Sequence, residues 1–161
     1  MKHKSFARIL GIDLHPRHFG YVILESPDRL LDWGVRRTYQ KTKRHPQVLA
    51  RERLRPLLRT WMPDVVITRI GERRDKNVRE LFRQTKKEVG ETPFLLMSEF
   101  QDHYLGLGKH GRAVALAARF PNIGWKLPAK RKPWDSEHYS MSIFEALAVA
   151  IVAYGGPTSH T

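Results

Sequence analysis

The sequence predicts an α/β domain, a mixed sheet with helices on its faces. Two observations carry that. The opening quarter holds three β-rich runs joined by short turns, and the remainder alternates helix-spaced apolar residues with short β-rich runs. A third observation bounds the answer: 41% hydrophobic residues in a chain of 161 is enough for one core and excludes a wholly disordered chain. One domain is expected over residues 1–154, with 155–161 a flexible tail.

The elements follow in order. Phe6 to Ile12 is an apolar run ending at Asp13, and Leu14-His15-Pro16-Arg17-His18 reads as a turn. Phe19 to Glu25 is β-rich and closed by Ser26-Pro27-Asp28; Leu30 to Tyr39 alternates through Trp33 and Val35. Three such strands with short turns form an antiparallel meander. Pro46 opens a helix whose apolar residues fall at Ala50, Leu54, Leu57, Leu58 and Trp61, with Pro56 predicting a kink or break. Val65-Val66-Ile67 is a short buried strand. Asn77 and Glu80 have the spacing of a capping box before a helix through Val78, Leu81, Phe82, Thr85 and Val89, which Gly90 stops. Phe94 to Met97 is the fifth strand. Ala113, Leu116, Ala117 and Phe120 mark a helix ended by Pro121, and Ser142 to Tyr154 is a helix apolar nearly all round, hence buried.

Composition narrows the function. Twenty-nine Lys and Arg against 16 Asp and Glu give a net charge of +13, which asks for a polyanionic partner, usually nucleic acid. An anionic membrane surface would instead favour one basic amphipathic helix with bulky apolar anchors, and here the cations are spread along the chain. The absence of cysteine excludes a disulfide scaffold and a thiol nucleophile. The longest apolar run, Ala146 to Tyr154, is far short of a bilayer span, and the apolar stretch behind the basic start is broken by Arg8 and Asp13, unlike a signal peptide. A soluble, cytoplasmic protein is expected, with no membrane partner.

Asp13 is the sharpest candidate, a carboxylate at the edge of a buried strand, where ionisation is costly unless a metal or a hydrogen-bond donor compensates. The competing reading is an Asp that starts the following turn. Glu145 is the one charged residue between Ser142 and Tyr154; against it, Ser142-Ile143-Phe144-Glu145 also has the form of a capping box. Gly71-Glu72-Arg73-Arg74-Asp75 follows the fourth strand, so Glu72 could bring a third carboxylate to that edge, with Asp75 better read as a helix start. Three carboxylates can hold Mg²⁺, which takes hard oxygen ligands. His15 and His18 lack the further ligands of a zinc set, and Gly106-Leu107-Gly108-Lys109-His110-Gly111 lacks the spacing of a phosphate-binding P-loop. Arg79, Arg83, Lys86 and Lys87 form a basic stripe at helical spacing, to which Arg17, Lys76, Lys109, Arg112 and Lys130-Arg131-Lys132 add candidate phosphate contacts.

Ile9-Leu10-Gly11-Ile12-Asp13 followed by Gly20-Tyr21-Val22 resembles the opening of the RuvC Holliday-junction resolvases, in the RNase H-like (retroviral-integrase) superfamily. Pro63-Asp64-Val65-Val66-Ile67 is similar to that family's fourth strand, Gly106-Leu107-Gly108 to its glycine turn, and Phe144-Glu145-Ala146-Leu147-Ala148 to its closing helix. The resemblance implies an RNase H-like five-stranded sheet, three antiparallel strands then two parallel, with helices on both faces. It also implies a homodimer acting on branched or junction DNA as a Mg²⁺- or Mn²⁺-dependent endonuclease, hydrolysing phosphodiesters by a two-metal mechanism, with four clustered acids.

On these residues Asp13 matches the first acid and Glu145 the last. The second acid follows the fourth strand directly, where this chain has Thr68-Arg69, so Glu72 is the nearest candidate. The remaining acid lies three residues before the last, where this chain has Ser142, and Glu137 is the candidate from upstream. Asp13, Glu72 and Glu145 are thus the expected metal ligands, with Glu137 a further catalytic candidate. Arg69 and Ser142 at acid positions support a second reading, a RuvC-like nucleic-acid-binding module without catalysis. A third is another RNase H-like nuclease or a transposase relative.

Overall fold

The computed structural model describes residues 7–38, 45–69, 76–97 and 107–155. Five strands form one sheet in the order β3-β2-β1-β4-β5. Strands β1 (Ile9–Leu14), β2 (His18–Ser26) and β3 (Arg29–Arg37) run antiparallel to their neighbours as a meander, and β4 (Val65–Arg69) and β5 (Phe94–Met97) add parallel to β1. This is the mixed sheet expected, three antiparallel strands and then two parallel.

The alternation of side chains along each strand decides which face they meet. On β1, Leu10, Ile12 and Leu14 point to one face with Tyr21, Ile23 and Val66, where they pack against Leu54 and Leu57 of α1 (Pro46–Trp61) and Val78 and Val89 of α2 (Lys76–Val89). Ile9, Val22, Leu24 and Ile67 point to the other, against α3 (Gly108–Arg119) and α4 (Met141–Tyr154). Helices therefore cover both faces. Helix α4 is buried from Met141 to Ala150, as its apolar circumference predicts.

Two glycines bring α4 onto the sheet. A Cβ on Gly11 would stand 2.5 Å from the carbonyl oxygen of Ala146 and 2.8 Å from the Cβ of Ala150, and one on Gly20 would stand 2.5 Å from Ser142 Oγ. Small residues on both partners let helix and strand backbones approach closely.

Some boundaries differ from expectation. Strand β1 begins at Ile9 and carries on through Asp13 and Leu14, because both residues pair with β2. Helix α1 passes through Pro56 as a single element. Helix α3 starts at Gly108, five residues before its first apolar marker, and Pro121, read from sequence only as a helix end, opens a 3-10 turn (Pro121–Lys126). Gly90 stops α2 with φ +59°, a left-handed backbone that suits glycine. Phe6, Tyr39, Glu72, Asp75, Gly106 and the tail beyond Gly155 lie outside the described residues. None of the described helices is long and apolar enough to cross a membrane.

Candidate nucleic-acid interface and acidic centre

Asp13 shares a face of β1 with Ile9 and Gly11, the face that α4 covers, and its cross-strand partner is Gly20. Since Gly20 lies against Ser142, one helical turn along α4 carries Glu145 to the same strand end. Asp13 and Glu145 are 4% and 3% exposed, and the charge of Asp13 reaches Glu145 strongly enough to push its carboxyl upward. Two carboxylates from opposite ends of the sequence thus lie towards one sheet edge.

Neither stands with acids alone. His15 Nε2 lies 2.6 Å from Asp13 Oδ2, an ion pair when the imidazole is protonated. Arg112 of α3 donates from Nη2 to both oxygens of Glu145, at 3.1 and 3.3 Å. Arg69 Nη1 lies 3.6 Å from Glu145 Oε2. Arg69 gets there by strand alternation: Ile12 pairs with Thr68, so Arg69 falls at the level of Asp13 on the face it shares with Ile67. Thr68 ties the two strands together, donating its hydroxyl to the carbonyl of Ile12 at 2.7 Å.

The capping-box reading of Glu145 does not hold. Helix α4 begins at Met141, so Ser142 and Glu145 both lie inside it, and Ser142 Oγ donates to the carbonyl of Tyr139 at 2.7 Å. Burial pushes the Glu145 carboxyl above the ordinary range; Arg112 and Lys109 pull it down, and Asp13 pushes it further up. Burial is the largest of these effects, so desolvation outweighs the guanidinium attraction.

Around this centre the remaining candidates separate. Glu137 pairs with Lys109 Nζ at 2.6 Å, and its charge reaches His18 rather than standing among the causes that shift Glu145. His18 stacks on His15 with ring centroids 4.6 Å apart; burial and His15 push its imidazole below the ordinary value, against Asp13 and Glu137. Glu72 lies outside the described residues. Arg17, Lys76, Arg79, Arg83, Lys86, Lys87, Lys130, Arg131 and Lys132 are exposed, where a polyanion can reach them. Arg112 is not among them: its side chain is 13% exposed and turned onto Glu145. Lys109 is half-buried on Glu137.

The pairings of Arg112 and His15 were not read from sequence. Arg112 depends on how α3 lies against α4, which no local pattern encodes. His15 lies two residues after Asp13 in a turn, a spacing compatible with contact but common by chance.

A divalent cation takes several hard oxygen ligands at about 2.1 Å. Here the Glu145 carboxylate is engaged by two guanidinium groups and Asp13 by an imidazole, and among the described residues no three acidic or histidine side chains are placed to hold one metal ion. The described donor set does not fit a two-metal centre.

No protein-family model and no curated protein sequence matches the chain. Solved structures do. Thermus thermophilus RuvC in complex with a Holliday junction substrate superposes with a TM-score of 0.66 at 18% identity, over 89% of this chain and 90% of that one. A second Thermus thermophilus RuvC structure superposes with a TM-score of 0.63 at 18% identity, over 89% and 91%. Together with the strand order and the helices on both faces, these superpositions show that this chain has the RuvC-like, RNase H-like fold along nearly all of its length.

Proposed function

We propose that this protein is a nucleic-acid-binding module on a RuvC-like scaffold, one that engages DNA, branched DNA in the first instance, without cleaving it. The observation that carries the reading is Arg69. It stands at the end of β4, the position of a family acid, and places its guanidinium 3.6 Å from Glu145. With Arg112 on the same carboxylate, the centre is a knot of ion pairs. Such a knot holds β4, α3 and α4 together and leaves little negative charge for a metal. The net charge of +13 and the exposed cations of α2 support phosphate contact.

The likeness to a structure described as RuvC with a Holliday junction supports branched DNA as the first ligand to try. A pair of copies, implied by the resemblance, is part of the same proposal, and sedimentation of the free protein tests it.

One observation favours the second reading, a Mg²⁺- or Mn²⁺-dependent endonuclease: Asp13 and Glu145 are both buried, and near enough that the charge of Asp13 acts on the Glu145 carboxyl. In that reading Glu72 is the third ligand and Glu137 an auxiliary acid. A single assay separates the two. A four-way junction, a single strand and an RNA–DNA hybrid are incubated with the protein in Mg²⁺ and in Mn²⁺, with binding followed in parallel. Binding without nicking is expected. Nicking that disappears in Asp13→Asn would establish the endonuclease.

A further inference from the structure

The exposed Trp, Tyr and Phe side chains of the described residues all lie in the segment between α3 and α4. Trp125, Trp134 and Tyr139 are 72%, 77% and 51% exposed, whereas Trp33 and Trp61 are partly buried against the core. Large aromatic surfaces left in water mark interaction sites more often than isolated aliphatic ones do.

Each ring has a neighbour beside it. Trp125 donates its indole N–H to the carbonyl of Asn122 at 2.9 Å, and the Lys126 ammonium stands 4.4 Å from its centroid. Trp134 sits in a turn closed by the amide of Asp135 donating to the carbonyl of Lys132 at 2.9 Å; the amide of Lys132 donates back to Asp135 Oδ2 at 3.2 Å. The Lys132 ammonium lies 5.5 Å from the Trp134 ring. Tyr139 packs on His138 with centroids 4.4 Å apart. These two residues divide a pair of basic clefts. Tyr139 lines one of about 350 Å³ with Arg17 and Arg37, and His138 lines one of about 620 Å³ with Lys130 and Arg131. The segment's acids are engaged already, Asp135 by the turn and Glu137 by Lys109.

We propose that this segment is a stacking platform for the unpaired nucleotides of a single strand. Bases lie on Trp125 and Trp134, and their phosphates meet Lys126, Lys130, Arg131 and Lys132. Rings interleaved with cations are what a single strand requires, since each unpaired base offers a π-face and each linkage a negative charge. A blunt duplex hides its base faces within its own stack and would gain only the cations. An apolar protein partner would instead leave four cations to be desolvated. The proposal rests on the nucleic-acid reading above and adds which form of the strand this surface selects.

The test compares a fluorescently labelled oligothymidylate with a blunt duplex of equal length, by anisotropy at fixed salt, on the full chain. Trp125→Ala and Trp134→Ala are each expected to weaken oligothymidylate binding about tenfold, and Trp→Phe at either position to retain most of it. Duplex affinity should not change. Unchanged oligothymidylate affinity in the alanine variants, or an equal loss on both ligands, would overturn the platform while leaving the nucleic-acid reading standing. A wild-type protein that binds neither ligand would end both.

Discussion

Arg69 and Glu145 meet at the edge of the sheet, Nη1 to Oε2 at 3.6 Å, where β4 ends beneath α4. The contact places a cation where the fold resemblance puts an acid. The centre's electrostatics is a contest between burial, which disfavours the Glu145 charge, and the cations of Arg112 and Lys109, which favour it.

The direction of the Glu145 shift predicts a pH dependence. Its folded carboxyl titrates above the unfolded one, so the folded state binds the proton more tightly. This contribution to stability is fully present below the unfolded value and is lost as pH rises through the folded one. Glu145→Gln resembles the protonated form. It should therefore flatten that part of the stability–pH curve and cost little at neutral pH. Denaturant midpoints from pH 4 to 8 check this. A loss of about 3–5 kcal/mol at neutral pH, typical of removing one partner from a buried pair, would mean that Arg112 and Arg69 prevail over burial.

Salt should weaken DNA binding steeply. Arg79, Arg83 and Lys86 are exposed on α2, and each phosphate contact contributes about −0.9 to the log–log slope of affinity against salt. Replacing all three with alanine should flatten the slope by up to about 2.7 if each contacts a phosphate. A four-way junction titrated at several salt concentrations measures it, and a slope that does not move would place the contacts elsewhere.

The close approach of α4 to the sheet predicts which glycines tolerate a methyl group. Gly11→Ala would drive a Cβ to within 2.5 Å of the Ala146 carbonyl oxygen, and Gly20→Ala would meet Ser142. Overpacking of this kind costs about 1–3 kcal/mol, and here it acts on the contact that holds Glu145 beside Asp13. Gly124→Ala is the control, since its new Cβ would find nothing nearer than the Ala117 carbonyl oxygen at 3.6 Å. Urea midpoints should fall for the first two and stay near wild type for the third.

Much of this geometry could be read from residue order, for definite reasons. Period-2 alternation puts Asp13 on the face of Gly11, and a lone acid in the apolar run 142–154 marks Glu145 for burial. Their meeting needed only that α4 cover that face. The family resemblance also put Arg69 and Ser142 at acid positions. The start of α3 was obscured because Gly108-Lys109-His110-Gly111-Arg112 contains no apolar residue to set a helical period. For the same reason Arg112 read as a solvent-facing phosphate contact, although its length lets the guanidinium reach a carboxylate on the neighbouring helix. The 3-10 turn after Pro121 was missed because proline marks a helix stop as readily as a start.

The last prediction rebuilds what the resemblance led us to expect. Arg69→Glu combined with Ser142→Asp removes one guanidinium from Glu145 and adds two carboxylates beside it and Asp13. Four acids crowded at one buried edge repel one another and are poorly solvated, so the double variant should melt below wild type in a chelating buffer. A divalent cation supplies the missing positive charge through oxygen ligands, and ligand binding to the folded state raises the melting temperature. Millimolar Mn²⁺ should therefore recover much of the loss in the double variant and leave the wild-type melting temperature where it was. The informative contrary result lies in the wild type. Stabilisation of the unmodified chain by Mn²⁺, abolished by Asp13→Asn, would show that the native centre binds the cation despite Arg69 and Arg112, and would return the endonuclease reading to first place.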